Sequence, residues 1–209
     1  ITFKDKEGLE LFRHSTAHLL AHAVVELFPD AKPTIGPTVE EGFYYDFDIA
    51  HHFTPEDLEK IEQRMHEIVK KDFKVERIEQ AESEAKHTFK NNPYKIELIE
   101  EFHREKHPIS SYKQGDFIDL CRGPHIPNTG KIKAFKLTKI SSAYWRGNSK
   151  NAQLQRIYGV SFPEKSQLEQ HFKLIEEAEK RDHRKLGKEL EWFSFFEESP
   201  GAPFFYPKG

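Results

Sequence analysis

Histidine recurs every four residues near the start of the chain. The stretch RHSTAHLLAH places His14, His18 and His22 at positions i, i+4 and i+8. Residues four apart share one face of an α-helix, so the three imidazoles form a row. An imidazole can accept a proton near neutral pH or bind a metal ion. The row predicts a general base or a metal ligand, although the same spacing also occurs on helices without such a role.

A second group of reactive side chains lies in the stretch DFIDLCRGPH. In a strand, Asp119 and Cys121 point to the same face. The Gly-Pro pair that follows can turn the chain and bring His125 back beside Cys121. A buried, inert cysteine is the competing interpretation.

Taken together, His14 and His18 of the first motif and Cys121 and His125 of the second offer three imidazoles and one thiol. Four such groups can bind zinc tetrahedrally, or three can bind it and leave a position for water. Alternatively, the imidazoles can deprotonate a water molecule directly as general bases. The metal ligands or bases predicted by this pattern are His14, His18, Cys121 and His125.

The helix that carries the first motif is apolar on nearly every side. Leu9, Phe12, Leu19 and Leu20 gather on the face opposite the histidines, and the neighbours of the histidines are also small or apolar. A helix of this kind is usually buried on both sides. We therefore expect a core on one side and a lined cleft on the other.

The remaining patterns predict an α+β fold, with helices packed on antiparallel sheets around a cleft and a long C-terminal linker helix. The predicted helices cover residues 7–28, 55–71, 82–90, 94–102 and 164–190. The predicted strands cover residues 32–35, 42–49, 73–78, 109–113, 116–121, 131–139, 141–146 and 154–162. The last helix would be about 40 Å long.

Composition limits the class of protein. The 209 residues carry a formal net charge of −3 and a single cysteine. An internal disulfide is excluded, and the composition fits a reducing, cytoplasmic location. No apolar run is long enough to span a membrane, and the first residues do not resemble a signal peptide. Any contact with nucleic acid would need local basic patches.

Several long motifs resemble bacterial-type threonyl-tRNA synthetase, in the order found in that family. They are RHSTAHLLAHAV (13–24), IGPTVEEGFYYDFD (35–48), DLCRGPHIPNTG (119–130), AYWRGNSKNAQLQRIYG (143–159) and AEKRDHRKLGKEL (178–190). The resemblance covers essentially the whole chain. It implies an editing domain over residues 1–163, a linker helix over 164–192, and the start of a class II catalytic core over 193–209.

The resemblance also implies an activity, namely proofreading hydrolysis of mischarged Ser-tRNA(Thr). It implies His14 as the base that activates water, with His18 as the next candidate. Lys95 corresponds to a position near the substrate ribose, and Asp119 to one that orients water or the serine ammonium. Cys121 and His125 complete the pocket, and Tyr45 is a candidate contact for the terminal nucleoside. Without the resemblance, Lys95 reads as an exposed helix lysine.

In threonyl-type editing the resemblance implies no obligatory metal, so no cofactor is expected, and ATP and zinc would serve only the catalytic core. The partner would be the 3′ end of tRNA(Thr), with a monomeric fragment of a homodimeric enzyme. Three alternatives stay open: a freestanding zinc-dependent deacylase of the alanyl type, a non-catalytic tRNA-binding module, and a metal-storage or structural zinc module. The binding module would use helix 164–190 and the lysines at 131, 133, 136 and 139, and His183 would lie in its basic tract.

Overall fold

A computed structural model describes residue 3 and residues 5–40, 42–181, 186–187, 189–194 and 202–207. The chain divides into two compact units, Ile1–Lys165 and Ser166–Gly209. Among the described residues, no helix combines the length and the apolar character that a membrane crossing needs. The α+β fold class is confirmed.

The helices are α1 (Lys6–Leu27), α2 (Pro55–Lys71), α3 (Glu82–Thr88), α4 (Pro93–Arg104) and α5 (Lys165–Lys180). The strands are β1 (Lys32–Pro33), β2 (Thr38–Val39), β3 (Gly42–Asp48), β4 (Val75–Glu79), β5 (Ser110–Gln114), β6 (Phe117–Leu120), β7 (Ala134–Tyr144), β8 (Gln153–Phe162), β9 (Phe193–Ser194) and β10 (Phe204–Phe205). All strand pairings are antiparallel.

The first unit contains a large lobe built from α1, α2 and a five-stranded sheet. The sheet has the order β1-β3-β8-β7, and β2 pairs with β3. Ten consecutive residues of α1, from Ser15 to Val24, are buried, as its nearly continuous apolar surface predicts. The amphipathic helix α2 starts at a capping box in which Thr54 and Asp57 bond each other's backbone N–H. It packs Ile61, Met65 and Ile68 into the same core.

One strand prediction is wrong in this sheet. The predicted strands 131–139 and 141–146 form a single strand, β7, paired with β8 along its whole length. The ladder is interrupted between Leu137 and Lys139 by a bulge-like register shift. Such a shift places an extra residue in one strand without ending it, so it breaks the alternation of the sequence while the strand continues.

The small lobe of the first unit consists of α3, α4 and the three-stranded sheet β4-β5-β6. It has its own apolar core, which includes Ala85, Ile99 and Leu120. The Asn-Asn-Pro segment separates α3 from α4 and begins the second of these helices. Asn92 caps the helix by accepting hydrogen bonds from the backbone N–H groups of Tyr94 and Lys95, and Pro93 occupies the first turn.

The second unit holds the remaining elements. Helix α5 spans about 24 Å at 1.5 Å per residue, and residues 186, 187 and 189 of the predicted helix 164–190 are helical as well. None of the described residues of α5 is buried. Residues 182–185 of the predicted basic tract, His183 among them, lie outside the described residues. Strands β9 and β10 pair with each other.

Candidate active site

The two reactive motifs meet between the lobes. His14 and His18 project from α1 of the large lobe, while Cys121 and His125 lie just after β6 of the small lobe. The His14 Nε2 atom is 2.9 Å from Cys121 Sγ, and the His125 Nε2 atom is 3.4 Å from the same sulfur. The His18 and His125 ring centroids are 4.1 Å apart. The sequence-predicted four-residue group is therefore one cluster.

The expectation that this site needs no cofactor is wrong. One potential ligand atom from each member of the cluster lies within 4.8 Å of the others, and together the four could hold a metal ion. Three imidazole nitrogens and one cysteine sulfur are ligands that zinc prefers. The chemistry of this donor set fits zinc.

Polar partners also orient the imidazoles, as is usual around metal sites. His14 makes a hydrogen bond with the backbone of Gly36, and Nε2 of His18 lies 3.5 Å from Asp119 Oδ2. Nδ1 of His125 lies 3.2 Å from the Ser15 hydroxyl. Each ring therefore has one nitrogen with a polar partner outside the cluster.

Burial decides the protonation of the cluster. Loss of hydration lowers the pKa of His14, and it holds the pKa of His18 and of His125 well below the ordinary histidine value. The same effect raises the pKa of the Cys121 thiol to about 12, against the opposing hydrogen bond from the Gly123 N–H. At neutral pH the cluster consists of three neutral imidazoles and a thiol, so a bound metal would displace the thiol proton.

A buried ion pair adjoins the cluster. Nζ of Lys95 lies 2.6 Å from Asp119 Oδ1, and both side chains are at most 2% exposed. The Tyr45 hydroxyl donates to Asp119 Oδ2, and Lys95 Nζ also lies 3.3 Å from the Tyr45 oxygen. The interpretation of Lys95 as an exposed helix lysine is therefore wrong. Burial, followed by the Asp119 charge, holds the pKa of Tyr45 well above its usual value.

The elements place these groups for local reasons. The Asn92 cap begins α4, and the buried Lys95 in its first turn reaches β6, where Nζ lies 3.5 Å from the Leu120 carbonyl oxygen. In β6, Asp119 shares the buried face with Phe117, as strand alternation predicts. Gly123 has φ +69°, and a Cβ there would lie 1.9 Å from the Tyr112 hydroxyl. Only glycine fits this turn.

The third histidine of the row does not join the cluster. His22 is buried against Phe117 at 5.1 Å between ring centroids, and its Nδ1 faces Gln114. A cavity of about 600 Å³ lies on this side, and its described lining includes both His22 and Asp119. Ser15 and Gly36 contact the cluster but were not singled out in the sequence. Ser15 follows His14 in the first motif and Gly36 lies in the motif at 35–48, but the sequence does not show that they contact the imidazoles.

Comparison with known proteins gives a consistent result. The family described as "Threonyl and Alanyl tRNA synthetase second additional domain" matches residues 109–158, which include Asp119, Cys121 and His125. The threonine--tRNA ligases of Acetivibrio thermocellus and Clostridium tetani are each 57% identical over all of this chain. That of Caldanaerobacter subterraneus subsp. tengcongensis is 54% identical over all of it.

In each case the match covers 33% of the relative, so the chain spans about a third of the length of these proteins. The matched segment contains two of the four cluster residues, Cys121 and His125, together with Asp119. The relatives align with the whole chain and therefore cover α1 and α4 as well. This chain belongs to the bacterial threonine--tRNA ligases, in the third of their length that contains the second additional domain.

Proposed function

We propose that residues 1–163 carry out the proofreading step of a threonine--tRNA ligase in cytoplasmic translation. The step is hydrolysis of the ester that joins serine to the 3′ end of tRNA(Thr). The observation that carries the proposal is the convergence of His14, His18, Cys121 and His125 beside a buried Lys95–Asp119 pair. Residues 164–192 would act as a linker.

A hydrolytic step is useful because binding alone discriminates poorly between serine and threonine. Serine lacks one methyl group of threonine, and one methyl group gives a binding pocket only about 1–3 kcal/mol of discrimination. A second site that hydrolyses the smaller product multiplies this selectivity, provided that it excludes the larger one.

His18, Cys121 and His125 would hold a zinc ion, which leaves His14 free. When bound in a site with an open position, zinc polarises carbonyl oxygens and lowers the pKa of bound water to about 7. The neutral state of His18 and His125 suits this role, because a metal ligand must be unprotonated.

We assign His14 as the general base. Burial lowers its pKa, so its ring is neutral and able to accept a proton at pH 7. Its hydrogen bond with the Gly36 backbone fixes the ring, and its Nε2 points into the cluster toward Cys121 Sγ. A proton taken from water would thus reach Nε2. His18 is buried more deeply, which favours His14 over it for this role.

The buried pair positions the substrate. The Lys95 ammonium can donate to ribose hydroxyls or to the oxygen that gains negative charge in the transition state. Asp119 can receive the serine ammonium or orient water while its other oxygen holds the Tyr45 hydroxyl. Tyr45 donates its hydroxyl to Asp119 and would act by holding this carboxylate in place.

The direct test is deacylation of Ser-tRNA(Thr) and Thr-tRNA(Thr) by the 209-residue chain, before and after dialysis against a chelator. We expect loss of serine only, abolished by chelation and restored by zinc. His14→Ala should abolish hydrolysis, whereas His87→Ala, an exposed histidine of α3, should not. Full hydrolysis by a folded His14→Ala variant would refute the assignment of the base.

A further inference from the structure

Ser15 connects the helix of the large lobe to the loop that carries His125. It follows His14 in α1, is 3% exposed, and lies 110 residues from His125 in the sequence. Its Oγ atom lies 2.9 Å from the Leu11 carbonyl, 3.0 Å from the Ile126 backbone nitrogen and 3.2 Å from His125 Nδ1. Three polar groups therefore share one hydroxyl.

The hydrogens of this group can be counted. A serine hydroxyl has one proton to donate and two lone pairs that accept. Its proton goes to the Leu11 carbonyl, one turn earlier in the helix and the nearest acceptor. The Ile126 N–H occupies one lone pair. The remaining lone pair faces His125 Nδ1, which must then carry a hydrogen to make a bond.

We propose that Ser15 is a positioning residue that keeps the proton of neutral His125 on Nδ1 and leaves the Nε2 lone pair facing the cluster. Nε2 of His125 is the atom 3.4 Å from Cys121 Sγ. A lone pair there can bind a metal ion, whereas an N–H there cannot. The role of Ser15 in metal binding rests on the proposed function, whereas the tautomer of His125 does not depend on it.

The groups around His125 determine which of its two ring nitrogens carries the proton. The ring is half-buried, stacked on His14 at 4.5 Å and edge-on to Tyr112 at 4.4 Å between centroids. A buried N–H without an acceptor loses about 1–3 kcal/mol. Without the Ser15 oxygen, the proton is better placed on Nε2, where it can be donated to Cys121 Sγ. Loss of the hydroxyl should therefore switch the tautomer and block the ligand atom.

The test uses long-range nitrogen–proton NMR of the ¹⁵N-labelled 209-residue chain without metal, because the two neutral tautomers have different ring-nitrogen shifts. We expect His125 to be the Nδ1–H form in the wild type and the Nε2–H form in Ser15→Ala. Thr16→Ala is the matched control: Thr16 is the next residue, its hydroxyl donates to the Phe12 carbonyl one turn back, and it is fully buried. That variant should keep the wild-type tautomer.

A second readout is titration with Co²⁺ alone. Loss of a residue that orients a metal ligand typically weakens metal binding about 10- to 100-fold. Ser15→Ala should show this loss and Thr16→Ala should not. An Nε2–H tautomer in the wild type, or an unchanged tautomer in folded Ser15→Ala, would overturn the proposal. If Ser15→Ala does not fold, the wild-type spectrum alone decides.

The two proposals fail separately. If the chain leaves Ser-tRNA(Thr) intact while Ser15→Ala switches the His125 tautomer, the proofreading function is wrong and the positioning role stands. If the chain hydrolyses the ester and His125 has the same tautomer in the wild type and in Ser15→Ala, only the positioning role is wrong.

Discussion

Replacement of Lys95 by methionine should destabilise the fold more than any change to a surface ion pair. Methionine has nearly the same length as lysine but no charge, so packing is largely kept. Asp119 is 1% exposed, and it would then keep the Tyr45 hydroxyl and the His18 ring as its polar side-chain neighbours. The substitution therefore isolates the cost of an unpaired buried carboxylate.

The size of the effect follows from the burial of both partners. Removal of one member of a buried ion pair typically costs about 3–5 kcal/mol, because the other charge loses both its partner and its water. For a chain of this size each kcal/mol lowers Tm by about 2–4 °C. Lys95→Met should therefore lower Tm by about 6–20 °C.

Thermal unfolding followed by circular dichroism would measure this change. Lys86→Met is the matched control, because Lys86 also pairs with carboxylates, 2.8 Å from Glu100 and 3.0 Å from Glu82, but on an exposed helix surface. Its Tm should fall far less, since exposed ion pairs add little stability. The double variant Lys95→Met, Asp119→Asn should recover part of the loss. If Lys95→Met and Lys86→Met melt at similar temperatures, the reasoning from burial is refuted.

Three further outcomes are expected. A non-glycine residue in the left-handed conformation costs about 1–2 kcal/mol. Gly123→Ala should lower the free energy of unfolding in urea by more than this, because its Cβ would lie 1.9 Å from a tyrosine hydroxyl. Gly147→Ala, at φ +68° with open space around it, should lower it by the left-handed cost alone. A hydrogen bond from His51 lowers the pKa of Asp57, so the ionised Asp57 carboxylate stabilises the fold. This stability is present above about pH 4 and is lost as pH falls through the pKa of Asp57 in the folded state. Asp57→Asn should lower stability at pH 7 by about 1 kcal/mol through the weakened helix cap, with a smaller difference in acid; a constant difference would contradict this. Because the pKa of the Cys121 thiol is about 12, zinc binding at pH 7 should release about one proton per ion in calorimetry across buffers, and Cys121→Ala should release none.

Local sequence was enough for the elements that depend on neighbouring residues. The four-residue spacing put His14 and His18 on one face of α1, and the predicted helix 55–71 coincides with α2. Capping and periodicity act within one or two turns, so they can be recognised in a linear pattern. Interruptions of such patterns mislead, as the single strand β7 illustrates, because a bulge alters alternation without ending the pairing.

The chemical state of the site was decided by contacts between distant residues. Cys121 meets His14 across 107 positions, and Ser15 meets His125 across 110. Whether Lys95 is exposed, and whether four side chains converge closely enough for one metal ion, depends on how the small lobe packs against α1. Burial and pairing are properties of the packed chain, since desolvation and Coulomb energy depend on distance in space and not along the sequence. The residue types and their local spacing were thus readable from the sequence, while their convergence into one buried, metal-competent cluster required the tertiary fold.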